Sequence, residues 1–225
     1  GYLAFMLSII IAIGLYFRHK KNKEWFLIMA AISVIGLIAL YFTFSRSGYL
    51  ALLTALAVLA FFKSRKLLIA VALIALLAFS FSPRVQERTL EAVDSSKALI
   101  GLDTQKAIDP TAKLRVWSWS FAWEMIQDHP WLGVGYGRYA YEINYRGHGL
   151  PSDHSVGGSD SSLLTIWAQT GIFGFLSAIA IGFVAAITVL RRSWKKSNFR
   201  SYLDSGLLAG FCGVMVHSVF VNSLL

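Results

Sequence analysis

Long apolar runs separated by short polar stretches dominate the chain. Residues 2–17, 25–44, 49–62, 67–81, 162–190 and 205–225 are each almost free of charge. A helix needs about 20 mostly apolar residues to cross a bilayer, so these runs predict membrane spans, the first only partial. One polar segment, 82–161, interrupts them. The pattern predicts an all-α, multi-span transmembrane bundle with a large extracytoplasmic loop containing short helices. Residues 1–81 hold four spans, 82–161 the loop and 162–225 two more spans.

Inside the loop the pattern is finer. Residues 84–100 suit a surface helix. Pro110 fits the first turn of another, with Asp109 or Thr111 as its cap. That helix covers 112–128 and stops at Pro130. It places Val116, Trp119 or Ser120, and Trp123 on one face, and Arg115 four residues before Trp119. Its three tryptophans favour a membrane interface. Gly133, Gly135 and Gly137 allow a tight turn against another backbone or a ligand. Residues 138–160 show little periodicity and read as loop. Ser45-Arg46-Ser47-Gly48 reads as a tight turn between spans.

Composition agrees with the pattern. Of 225 residues 56% are hydrophobic and 15% charged, with mean hydropathy +0.59, outside the range of ordinary soluble domains. The net charge of +9 resembles a nucleic-acid signal until it is mapped. Twelve of the 21 Lys and Arg fall in three short segments, 18–23, 63–66 and 191–200, whereas the long loop carries 8 basic and 10 acidic residues. Basic residues in short loops set membrane orientation. With 18–23 in the cytoplasm, all three clusters fall inside, and Arg46 and the long loop fall outside. No nucleic-acid partner is expected. The single cysteine, Cys212, permits no intrachain disulfide. Basic residues follow the first run instead of preceding it, so residues 1–17 are not a signal peptide. The chain opens mid-run and is expected to be the C-terminal part of a longer protein, cut at both ends.

The chemistry-bearing residues gather at the outer face. Arg46 is either a side chain snorkelling to the interface or an anion clamp, since a guanidinium grips phosphate in bidentate fashion. Arg115 is either a surface ion-pair partner of Glu124 or Asp109, or a second clamp. Arg84, Arg88, Arg138 and Arg146 are weaker alternatives. Two arginines near a lipid boundary suit a lipid-linked phosphate. Acid–base work falls to Asp160, His154, Asp153, His148, Glu142 or Glu124. Asp160 stands out because it immediately precedes a span, although Asp160 or Ser161 could simply cap that helix. His148 and His154 do not have zinc-ligand spacing, and no metal or cofactor is expected. Gly133-Val-Gly-Tyr-Gly137 follows no strand and is not a dinucleotide fingerprint. His217 reads as a satisfied polar group within a span, though intramembrane polar residues are functional candidates by default.

Three ordered pieces carry a family resemblance: Ser45-Arg46-Ser47-Gly48; Arg115-Val-Trp117 followed by Ile126-Gln-Asp-His-Pro130-Trp-Leu-Gly133-Val-Gly135; and Asp160-Ser-Ser-Leu-Leu164 leading to Gln169-Thr-Gly171-Ile-Phe-Gly174. With a loop of this length they resemble the O-antigen ligase and polymerase family, over roughly residues 41–190. The resemblance implies a metal-independent membrane glycosyltransferase of the bacterial cytoplasmic membrane. Its donor would be a glycan on polyprenyl pyrophosphate, its acceptor a glycan or a lipid, and membrane lipid its surroundings. It implies that Arg46 and Arg115 hold the pyrophosphate and that Asp160 is the general base. Trp119, Gly133, Gly135, Arg138 and His154 complete the expected substrate-binding set. Ligases of the family carry histidine where Asp160 aligns, which moves the expectation towards a polymerase or exopolysaccharide enzyme.

Two other classes compete. A transporter of inorganic carbon or another small solute would use intramembrane Ser, His217 and Asn222, but transport sites sit at broken helices mid-membrane and these spans are clean. A non-catalytic assembly partner would use the tryptophan-rich helix as its interface.

Overall fold

The computed structural model describes residues 1–64, 66, 69, 110–146, 158–193 and 198–221. Among them lie seven helices and no strand: α1 (Tyr2–His19), α2 (Lys23–Phe42), α3 (Arg46–Lys63), α4 (Pro110–Asp128), α5 (Tyr139–Tyr145), α6 (Ser162–Ser193) and α7 (Phe199–Phe220). Five of these, α1, α2, α3, α6 and α7, are long and apolar enough to cross a membrane. The expected span at 67–81 lies, but for Ile69, outside the described residues, as does the expected surface helix at 84–100. The chain divides into two compact units, Gly1–Val71 with Phe173–Leu225, and Ala72–Ile172.

In the first unit, α1, α3 and α7 pack against one another and α2 packs on α1. Lipid tails are as apolar as leucine, so close backbone approach, not hydrophobicity, must hold such helices together. The sequence provides for this with Gly206, Gly210 and Gly213 on α7. A Cβ at Gly206 would lie 2.8 Å from Ala12 Cβ, and one at Gly210 would lie 2.6 Å from Phe5 and from Ser8 Oγ. A Cβ at Gly213 would lie 2.5 Å from the Ala51 carbonyl oxygen. Ser8 Oγ donates to the Gly206 carbonyl at 2.9 Å across the same seam. By contrast α2 turns Leu27, Ile28, Val34, Ile35 and Ile38 outward, which fits a lipid-facing helix.

Gly213→Val is expected to destabilise the bundle by about 1–3 kcal/mol, since the Ala51 carbonyl belongs to a helix backbone and cannot step aside. A lowered thermal midpoint in detergent would show it. An unchanged midpoint would contradict the close α3–α7 packing.

The third and fifth spans differ from the sequence reading in ways that bear on the site. The third span begins at Arg46 instead of Tyr49, because Ser45 Oγ accepts the Gly48 N–H at 3.1 Å and caps the helix. Ser45-Arg46-Ser47-Gly48 is therefore a cap and first helical turn. The turn itself is Thr43–Ser45, with Phe44 at φ 50° and Thr43 Oγ1 donating to the Leu40 carbonyl at 2.6 Å. The fifth span is not continuous: Gly171, at φ 66° and ψ −170°, breaks α6. Before the break Ser161, Ser162, Thr165 and Gln169 are buried; after it Phe173, Leu176, Ile179, Ile181 and Phe183 are exposed. The apolar, lipid-facing part of this helix thus starts at the kink, and the residues before it belong to the second unit.

Candidate functional site

The second unit is built around α4. Its inward side carries Ser118, Phe121, Ala122, Met125 and Ile126, all buried, at the three-and-four spacing of one helix face. Ala122, Met125 and Ile126 form a core with Val134, Tyr139, Ile143 and Ala168. The helix was expected at 112–128 and extends over Pro110–Asp128. The segment expected as loop after Gly137 instead forms α5. Only Tyr139 and Ile143 of that short helix are buried, too few apolar positions to reveal a period. Arg146, a weak sequence candidate, anchors α5 by pairing with Asp128 at 2.7 Å and Glu142 at 3.6 Å.

The glycine-rich loop packs on backbone. Val134 and Gly135 donate their N–H groups to the carbonyls of Ala168 and Gln169 at 2.9 and 3.0 Å, and Ile172 donates to Pro130 at 2.9 Å. A Cβ at Gly133, where φ is 69°, would fall 2.4 Å from the Gln169 carbonyl carbon; one at Gly171 would fall 2.2 Å from the Trp131 oxygen. Both positions therefore demand glycine. Of the two partners that the sequence left open for this turn, backbone or ligand, the structure supplies backbone. The carbonyls of Ala168 and Gln169, which the kink removes from the α6 ladder, gain their hydrogen bonds there.

The loop thus holds α6 at residues 168–172, and Ser118 holds the residues just before the helix. The Asp160 N–H donates to Ser118 Oγ at 2.9 Å, and Ser118 Oγ donates to Ser159 Oγ at 3.3 Å. Thr165 Oγ1 donates to the Ser161 and Ser159 carbonyls at 2.9 and 3.2 Å. Tyr139 donates its phenol proton to the Ser118 carbonyl at 3.4 Å. Burial pushes that phenol well above its ordinary range, opposed by a hydrogen bond with Ser159 and reinforced by the charge of Asp160. Tyr139 is thus a neutral donor beside the Asp160 carboxylate.

Arg115 lies one turn before Ser118 on α4 and is half-buried. Among the described residues it forms no ion pair and no hydrogen bond, including with Glu124. Trp119, four residues after Arg115 and on its side of the helix, buries its indole Nε1 with no hydrogen-bond partner among those residues. A buried N–H normally finds an acceptor. One side of α4 therefore offers a guanidinium and an indole N–H one turn or less from the serine that holds the Asp160 backbone. Trp123 stands against Trp167 edge to face at 5.9 Å. The other α4 tryptophan, Trp117, stands beside Phe121 at 5.2 Å.

The family model for O-antigen ligase matches residues 31–179, well over half of the chain. The chain belongs to the O-antigen ligase family. A comparison with curated proteins gives no match. The matched stretch runs from α2 through the kink of α6, so it contains Arg46, α4, the glycine loop and Asp160. Membership implies a ligase- or polymerase-type enzyme acting on glycan and lipid-linked substrates, and with five apolar helices it makes the chain a multi-pass membrane protein.

Of the sequence-predicted site residues, Arg115, Trp119, Gly133, Gly135, Arg138 and Asp160 are in the second unit. Arg138 is exposed and stands over the Tyr141 ring at 5.3 Å. Arg46 is in the first unit, exposed at the amino end of α3, where the helix dipole adds to its positive charge. His154, Asp153 and His148 lie outside the described residues. Ser118, Ser159 and Tyr139, which hold Asp160, were not singled out from sequence. A serine or a tyrosine on a helix carries no pattern that marks it as a support.

Proposed function

We propose that this protein transfers a glycan from a polyprenyl pyrophosphate carrier to an acceptor hydroxyl, without a metal ion, at the outer face of the bacterial cytoplasmic membrane. The acceptor hydroxyl oxygen attacks the anomeric carbon of the donor. The bond from that carbon to the pyrophosphate oxygen breaks, and the hydroxyl proton passes to the Asp160 carboxylate. Charge accumulates on the departing pyrophosphate, so fixed cations aimed at it stabilise the transition state more than the ground state. Arg115 is the cation of the second unit assigned to that role, and Arg46 is assigned to it from sequence. Trp119 and Arg138 contribute to substrate binding, and His154 remains assigned to it from sequence. Gly133 and Gly135, assigned to substrate binding from sequence, contribute by shaping the loop that packs on α6.

The observation that carries this reading is the pairing on α4: a half-buried arginine without a protein partner among the described residues, one turn from the serine that holds Asp160. The long loop as a near-neutral outer segment, with the basic clusters inside, supports the outer face. Aspartate where ligases carry histidine favours the polymerase type, with a growing glycan as acceptor.

Asp160→Asn separates base from cap. Asparagine caps a helix as well as aspartate does but cannot take a proton. The expected result is a loss of transfer of about 10²-fold or more with the protein's thermal midpoint kept. Full activity in Asp160→Asn would remove Asp160 as the base.

A further inference from the structure

The outward side of α5 is an exposed aromatic face with no part in the transfer step itself. Tyr141 and Tyr145, four residues apart on one face, are 56% and 77% exposed. Their rings are nearly parallel, at 13° with centroids 6.1 Å apart. Arg138 continues the row by standing over Tyr141. The face is held rigid from behind. Tyr139 and Ile143, on the opposite side, are 1% and 2% exposed within the core of the second unit, and Arg146 ties the carboxyl end of α5 to Asp128.

We propose that Arg138, Tyr141 and Tyr145 form a binding subsite for the polysaccharide chain itself, separate from the groups assigned to the pyrophosphate. A pyranose ring presents on one face a patch of slightly positive C–H bonds, which the negative face of an aromatic ring attracts. Its edge presents hydroxyls. The α5 face offers both: two exposed, nearly parallel rings for stacking, bordered by their own phenol hydroxyls, Asn144 and the Arg138 guanidinium for hydrogen bonds. Prior fixation of the rings lowers the ordering cost of binding. The subsite rests on the reading above in that the chain handles a glycan. It adds where a length of glycan beyond the reacting sugar is held.

The test uses full-length protein in nanodiscs and oligosaccharides of one or several repeat units, released from the carrier by mild acid and so lacking both lipid and pyrophosphate. Wild type is expected to bind the longer oligosaccharides. Tyr141→Ala with Tyr145→Ala is expected to weaken that binding about tenfold or more, while the double phenylalanine variant retains most of it. Arg115→Ala is expected to lose transfer yet keep oligosaccharide binding, which separates the subsite from the transfer reading. No binding by wild type, or equal binding by the double alanine variant, would overturn the subsite. So would a spin label at Tyr145→Cys, with Cys212→Ala, that is reached by oxygen but not by a water-soluble nickel chelate, because the face would then be a membrane contact. Binding lost on alanine substitution, together with an enzyme that transfers nothing, would leave the subsite standing and remove the transfer reading.

Discussion

Arg115→Ala is expected to lower glycan transfer by about 10²–10³-fold, the usual cost of removing one preorganised charge partner of a transition state. The protein itself should survive. Arg115 makes no ion pair or hydrogen bond among the described residues, so alanine leaves no buried acid unpaired there. The fall should appear in kcat at saturating donor more than in KM, because charge on the leaving pyrophosphate is greatest in the transition state. Arg115→Lys should recover only part of the loss, since an ammonium lacks the bidentate fork that matches phosphate. Turnover by membranes containing equal amounts of each variant is the measurement. Unchanged turnover in Arg115→Ala would remove the clamp from the mechanism.

Gly171→Ala is expected to have the largest effect on folding. Its φ of 66° with ψ of −170° falls where L side chains almost never lie, at a cost of order 1–3 kcal/mol. The added Cβ would also meet the Trp131 carbonyl oxygen at 2.2 Å, so the loop must leave α6. That movement releases the bonds from Val134, Gly135 and Ile172, and the kink carbonyls they satisfy. Together the loss should exceed about 4 kcal/mol, enough to unfold many domains. Gly133→Ala should behave alike, with its Cβ 2.4 Å from the Gln169 carbonyl carbon. Gly137→Ala is the control. Its φ is 77°, but nothing lies within 4 Å of the new Cβ, so about 1–2 kcal/mol of backbone strain is all that should be lost. Thermal midpoints of the three variants in detergent would rank them. A stable Gly171→Ala protein would contradict the loop clamp.

The spans were legible because burial in lipid requires about 20 apolar residues in a row, and α1, α2, α3, α6 and α7 all answer to that signal. The amino end of α4 was legible from Pro110, and its stop from Pro130. Other features were hidden for physical reasons. Hydropathy cannot distinguish residues packed against protein from residues facing lipid, so Leu163, Leu164 and Ile166 read as one run with the residues after Gly171, although the two stretches fall in different units. Only a backbone angle marks the break at Gly171. The glycines that join α7 to α1 and α3 lie in an apolar run that looks uniform until the close approaches at Gly206, Gly210 and Gly213 are seen. Asp160 and Arg115 could be nominated from their residue types and places. The link between them runs through Ser118 and Ser159, small hydroxyls whose role exists only in three dimensions.

The most direct test of the central claim is the release of polyprenyl pyrophosphate from a polyprenyl-pyrophosphate-linked glycan by the full-length protein reconstituted in liposomes, with glycan acceptor present and chelator added. This product is common to ligation and polymerisation, so it does not depend on which acceptor is native. Wild type should release it in step with glycan transfer, and Arg115→Ala and Asp160→Asn should each release about 10²-fold less or lower still. Release by both variants at the wild-type rate, or none from wild type with either a glycan or a lipid acceptor, would contradict the account.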